Sequence, residues 1–247
     1  MQSDHGAIVP IGDTRLWITT SGAGDPLVLT NGGAGCCDYL GLVATMIEDL
    51  GQVVRWEARG CGRSATDDPT RYDLLTTVRD LDTIRAHLGF ERWIVGGHSH
   101  GALISLVYAL EYPERTRGIL YIAGAGIQND RSWSEAYHRG KDEGRERELD
   151  YTFPANMEVN RVGNLSARAY FRQPDILRRI ADLRAPMVAI QAGGDIRPNW
   201  PAEQVVRLMP DARLETIPDA DHNLWLTHPN ELRAALRDAV ISLMETP

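Results

Sequence analysis

Short apolar runs and helical periods alternate along most of the chain. Residues 26–30, 53–56, 93–96, 119–122 and 187–191 are near-continuous apolar runs of the kind that form strands buried on both faces. Between them the period changes. Leu74, Val78, Leu81, Ile84 and Leu88 recur at steps of three and four and predict a helix over 74–88. A second helix is predicted directly after Ser99, with Leu103, Leu106, Val107 and Leu110 on one face and Pro113 closing it. A helix near 203–209, a strand over 213–217 and a last helix from Pro229 continue the alternation. Residues 7–11 and 15–20 read instead as an antiparallel hairpin turned by Gly12-Asp13. The pattern predicts an α/β fold, a mostly parallel sheet with helices on both faces and the hairpin extending one edge.

Residues 127–173 break this rhythm. They are charged, carry Trp133, Tyr137, Tyr151, Phe153, Tyr170 and Phe171, and offer no strand pattern. We read them as a small helical cap inserted into a single core made of residues 1–126 and 174–247. A structureless loop of that length is rare in a compact domain.

Composition narrows the function classes. With 43% hydrophobic and 24% charged residues, the balance is that of a soluble globular domain. Lys and Arg total 26 against 34 Asp and Glu, a net charge of −8, which lacks the broad positive surface that nucleic acid requires. Apolar stretches such as 102–110 are about half of what spans a bilayer, so no membrane partner is expected. Residues 1–6, Met-Gln-Ser-Asp-His-Gly, lack the basic start and apolar stretch of a secretory leader. Three cysteines, two of them the adjacent Cys36 and Cys37, give no disulfide framework and suit a reducing compartment. A cytoplasmic location is expected, and nothing in the sequence speaks to oligomeric state.

The chemistry centres on Gly97-His98-Ser99-His100-Gly101. A serine hydroxyl is a poor nucleophile until it projects free of its backbone and a base takes its proton. Gly-x-Ser-x-Gly between a strand and a helix meets the first need, because small residues at 97 and 101 let strand and helix pass closely. The glycine-rich loop Thr30-Asn31-Gly32-Gly33-Ala34-Gly35 also follows a strand and can turn N–H groups toward Ser99. Gly33 and His100 are the expected backbone donors to an oxyanion, with Gly32 a further candidate for substrate contact. The base and its orienting acid should follow the serine in the order acid, histidine. Asp195 lies just past a strand's carboxyl end and His222 follows it after one helix and one strand. Asp219 and Asp221 remain alternatives to Asp195, and His228 competes less well with His222. His98 and His100 read best as packing and loop residues. Trp133, Tyr137, Phe153, Tyr170 and Phe171 are candidates for lining a substrate pocket. No metal site is read from the acidic and histidine residues, and the chemistry calls for no cofactor.

Asn31-Gly32-Gly33-Ala34-Gly35, Asp38-Tyr39-Leu40, Arg59-Gly60-Cys61-Gly62-Arg63-Ser64 and Gly97-His98-Ser99-His100-Gly101 together resemble the prolyl iminopeptidase branch of the α/β-hydrolases. The similarity covers about 24–125 and resumes over about 174–243. It implies the α/β-hydrolase fold, a triad of Ser99, Asp195 and His222, and oxyanion donors from the glycine loop. Asn31 and Ala34 stand where that branch has His and Pro, and Glu57 where it has Asp. The cap is shorter than the lid whose acidic groups hold a substrate amine in that branch. Glu143, Glu146, Glu148 and Glu158 are the acidic candidates here.

The reading that follows is a serine hydrolase acting on a small ester, lactone or amide through an acyl-enzyme, with esterase, lactonase or aminopeptidase-like activity. The same triad serves acyl transferases, cyclases, lyases and carbon–carbon hydrolases, and a receptor with little turnover would also keep the pocket.

Overall fold

The structure, a computed structural model, describes residues 6–64 and 68–245. Residues 1–5, most of the segment read for a leader, lie outside the described residues. Among the described residues, strands β1 (Ala7–Ile11), β2 (Thr14–Ser21), β3 (Pro26–Thr30), β4 (Gln52–Trp56), β5 (Trp93–His98), β6 (Thr116–Ile122), β7 (Met187–Ala192) and β8 (Ala212–Ile217) form one sheet. Its order is β1-β2-β4-β3-β5-β6-β7-β8. The β1–β2 and β2–β4 pairings are antiparallel and the other pairings are parallel, so the hairpin extends one edge as the pattern predicted.

The period of two along each strand sorts side chains between two cores. Val28, Val54, Val95, Ile119 and Ala189 face one side, where they meet α2 (Leu74–His87), α3 (His100–Glu111), α6 (Ile176–Asp182) and α7 (Trp200–Leu208). Leu27, Val53, Ile94, Leu120 and Val188 face the other, against α1 (Gly41–Thr45), α8 (Leu224–Thr227) and α9 (Pro229–Glu245). A strand covered on both faces cannot alternate in polarity, which is why these segments read as unbroken apolar runs.

Two further helices, α4 (Arg131–Asp142) and α5 (Met157–Tyr170), precede α6 between β6 and β7. Asp130 caps α4 through the Trp133 N–H at 2.8 Å, and Asn156 caps α5 through the N–H groups of Glu158 and Val159. Asn156 also holds the segment to the core. Its N–H donates to the Gly35 carbonyl at 2.9 Å, and its carboxamide donates to the Gly60 carbonyl at 3.0 Å. Asn160 donates to the Ala34 carbonyl at 2.9 Å.

The turn Arg59–Ser64 is a structural knot. Buried Glu57 accepts the Asp38 N–H at 3.1 Å and the Arg63 N–H at 2.5 Å, and pairs with the Arg63 guanidinium at 2.6 Å. Gly62 is required there, since a Cβ would meet the Glu57 carboxylate at 2.6 Å. Arg59 pairs with buried Asp80 at 2.5 Å. The described helices include none long and apolar enough to cross a membrane.

Candidate active site

Ser99 stands between the end of β5 and the start of α3, at φ 57° and ψ −114°. That backbone is costly for a residue with a Cβ, by about 1–3 kcal/mol. The turn is pinned by the Ser99 N–H, which donates to the Ile122 carbonyl of β6 at 2.8 Å. It is also tight. A Cβ on Gly101 would lie 1.9 Å from the Thr30 carbonyl oxygen, and one on Gly97 would lie 2.4 Å from the Gly101 carbonyl carbon. The two glycines of the motif are thus fixed by sterics.

The glycine loop after β3 comes against the serine, because a Cβ on Gly32 would approach the Ser99 Cβ to 2.7 Å. The loop is shaped by its own bonds. The Asn31 carboxamide donates to the Gly32 carbonyl at 3.0 Å and to the Cys36 carbonyl at 3.1 Å. The Cys36 N–H donates to the Gly33 carbonyl at 2.8 Å, closing a turn in which Gly33 has φ +64°. The Gly32 N–H is taken by the Tyr39 hydroxyl at 2.7 Å, so Gly32 offers close approach and its amide is committed elsewhere. Gly33 and His100 line one cavity, together with Cys36, Cys61 and Ile104. As the first residue of α3, His100 has an N–H with no carbonyl a turn before it in the helix.

Asp195 follows β7 and His222 follows β8, neighbouring strands whose carboxyl ends share an edge of the sheet with that of β5. The intervening turns are stitched together, the Gly193 N–H to the Ile217 carbonyl at 2.8 Å and the Gly194 N–H to the Ala220 carbonyl at 2.9 Å. His222 Nδ1 lies 2.5 Å from Asp195 Oδ2, and both side chains are buried. This bond selects Asp195 over Asp219 and Asp221 as the partner. An ionised carboxylate only accepts, so Nδ1 carries the proton and neutral His222 keeps Nε2 free as a base.

Asp195 Oδ1 is held separately. It accepts the Arg197 N–H at 2.9 Å and the Arg197 guanidinium at 3.1 Å. Burial pushes the Asp195 carboxyl up, but the His222 bond and the Arg197 charge outweigh it and hold it below the usual carboxylate range. Arg197 reaches onward to Glu146, between α4 and α5, at 2.7 Å, and lies 5.0 Å from the centre of the Tyr137 ring. A chain of charges therefore runs from the inserted segment to the histidine.

A second network was not legible as chemistry in the sequence. The Tyr39 hydroxyl lies 2.8 Å from His98 Nδ1, and His98 Nε2 lies 2.9 Å from the His222 carbonyl. A carbonyl only accepts, so Nε2 carries hydrogen, Nδ1 accepts from Tyr39, and Tyr39 accepts from Gly32. Burial, then the nearness of His222, holds the His98 pKa well below the usual histidine value, so the ring stays neutral. Trp225 stacks on Tyr39 and meets His98 edge-on. The only sequence signal was a histidine at the end of a buried strand, where packing was the natural reading. His98 does pack, and it also ties the glycine loop to the His222 main chain.

A family model described as the alpha/beta hydrolase fold matches residues 25–148, half of the chain. The chain belongs to this family. It stands near the prolyl iminopeptidase branch, being 27% identical over 188 residues to a proline iminopeptidase of Lactobacillus delbrueckii subsp. bulgaricus. That match takes in 69% of this chain and 60% of the relative, so the chain covers less than two thirds of the relative's length. Among solved structures, a thermophilic esterase from Thermogutta terrifontis superposes with a TM-score of 0.77 at 19% identity, over 96% of this chain and 98% of the other. An E-2-(acetamidomethylene)succinate hydrolase superposes with a TM-score of 0.75 at 17% identity, with the same coverage.

In this α/β-hydrolase a further cavity, of about 120 Å³, opens from His100 toward the segment between β6 and β7. Trp133 and Phe171 line it. Tyr137 stacks on Trp133 with ring centres 5.7 Å apart but serves the Arg197 side rather than the cavity wall. Phe153 lies beneath the Arg63 guanidinium, and the Tyr170 hydroxyl donates to Glu111 at 2.6 Å. The aromatics of the segment between β6 and β7 thus divide between the cavity and packing.

Proposed function

We propose that the protein is a serine hydrolase that cleaves a small ester, lactone or amide through an acyl-enzyme, with residues 127–173 as a cap over the site. The observation that carries this is the strained Ser99 turn at the same sheet edge as a buried His222–Asp195 pair. Ser99 Oγ adds to the substrate carbonyl while His222 Nε2 takes its proton. The carbonyl oxygen becomes an oxyanion and receives the N–H groups of Gly33 and His100. Collapse breaks the bond to the alcohol or amine, which leaves with the proton from His222. Water then adds to the acyl-enzyme by the same steps and frees Ser99. An esterase and an E-2-(acetamidomethylene)succinate hydrolase are among the neighbours that share this fold, which supports a hydrolase reading without fixing the bond.

Binding of a free N-terminal amine has less support. Of the four acidic candidates, Glu143 pairs with Arg145, Glu158 with Arg161, and Glu146 with Arg197 and Lys141, which leaves Glu148 as the one without an ion pair among the described residues. A carboxylate already neutralised by two cations is a weak host for a third.

The test is mass spectrometry after treatment with a fluorophosphonate. One adduct on Ser99 is expected, and Ser99→Ala should lower ester turnover by on the order of 10⁵ or more. An unmodified Ser99, or a Ser99→Ala protein as active as the parent, would sink the reading.

A further inference from the structure

We propose that the cavity beside His100 receives a carboxylate carried by the substrate, with Arg168 as its counter-ion, so that the preferred substrates are small anionic esters or amides such as dicarboxylate half-esters. This rests on the hydrolase reading above and adds the substrate class.

The cavity is walled on one side by His100 and Leu103 of the helix that starts at the nucleophile. On the other side stand Asn164, Ala167, Arg168 and Phe171, which share one face of α5 and the residue that caps its end by their steps of three and four. The residue that follows Ser99 in the chain is thus part of the cavity wall. At about 120 Å³ the space suits an arm of a few atoms.

Arg168 is the one charged group among the described lining residues. Its guanidinium has no carboxylate partner among the described residues. The acids of the neighbouring elements are already engaged. Asp130 caps α4, Glu135 pairs with Arg131 at 2.8 Å, and Glu158 pairs with Arg161 at 2.6 Å. In a chain of net charge −8, an exposed arginine without a carboxylate partner, on the rim of a cavity of mixed polar and apolar lining that includes the residue after Ser99, is an attraction for an anion. A guanidinium presents paired N–H donors that fit a carboxylate in two-point fashion. The Asn129 carboxamide, also on the wall, adds a neutral donor, while the Gln128 and Asn164 amide groups already donate to Gln204 and Asn160.

The test measures the rate of Ser99 labelling by a neutral fluorophosphonate, with and without glutarate or its uncharged diamide as competitor. Glutarate should protect at least about tenfold better than the diamide, the worth of one charge-assisted hydrogen-bonded contact. Arg168→Gln should abolish that difference and Arg168→Lys should keep part of it, with the labelling rate in the absence of competitor unchanged in both. In parallel, kcat/KM for the 4-nitrophenyl half-ester of glutarate should exceed that for its methyl-capped analogue in the parent protein alone. Normal labelling with equal protection by both competitors, or a preference that survives Arg168→Gln, overturns the anionic substrate while leaving the hydrolase reading intact. Absence of labelling under every condition overturns both.

Discussion

At the scale of single residues the site is organised by where a side chain is forbidden. Ser99 carries a Cβ at φ 57°, in a region where glycine is the comfortable residue. Its replacement therefore separates two effects that one variant would merge. Ser99→Gly and Ser99→Ala should both be inactive, yet the glycine variant should be the more stable by about 1 kcal/mol, read as a melting temperature about 2–4 °C higher. Equal melting temperatures would show that the turn is relaxed. The glycines at 97 and 101 meet backbone rather than flexible side chains, and so have no room to give.

At the scale of elements, the carboxyl ends of β3, β5, β7 and β8 each deliver one part of the proposed site, and the Tyr39–His98 relay joins the first to the last. Tyr39→Phe and His98→Leu should each lower kcat by about 10–100-fold, the penalty for small misplacement of reacting groups, with KM nearly constant. The double variant should fall little further, since both cut one connection. Independent, multiplying losses in a steady-state double-mutant cycle would show two separate roles. Much of this scale was legible in advance. The buried strands were found within a residue or two at most ends, because apolar runs bounded by turn residues leave few alternatives, and 74–88 was found because its period is clean. The β6 run was found only from 119, since Thr116 and Arg117 interrupt the apolar pattern. Helix α1 went unread because five residues carry less than two turns of pattern. The Ser99 turn and the Asp195–His222 pairing were legible because the order of a motif and its strand contexts is written locally. Tyr39, Arg197 and Glu146 were not, since Tyr39 acquires its role from His98, 59 positions away, and Arg197 and Glu146 join the inserted segment to the sheet across 51 positions, and no local pattern marks such a pairing.

At the scale of the molecule, Arg197 is the point where the inserted segment and the sheet share charge. Asp195 and Glu146 each feel burial first, which raises them, but the bonds to their partners leave both below the usual carboxylate range. Folded, they bind protons more weakly than unfolded. Their contribution to stability is thus complete above about pH 4 and is lost as the pH falls through the lower folded values. Arg197→Met removes the counter-charge from two shielded carboxylates, which should cost about 3–5 kcal/mol at pH 7. That deficit should shrink as the pH is lowered toward 4, where protonation relieves the orphaned acids. Urea unfolding at pH 7, 5 and 4 would measure it, and a deficit that stays constant would assign Arg197 to packing alone. The strand order gives this seam a wider meaning. β6 and β7 are immediate parallel neighbours, although α4, α5 and α6 all intervene between them in sequence. Joining two such strands needs only a single crossover helix, so the remainder is a cassette that can be exchanged without rethreading the sheet. Topology permits the exchange freely; the Glu146–Arg197 pair, with the Asn156 and Asn160 bonds to the core, is the fitting that a replacement cassette has to match.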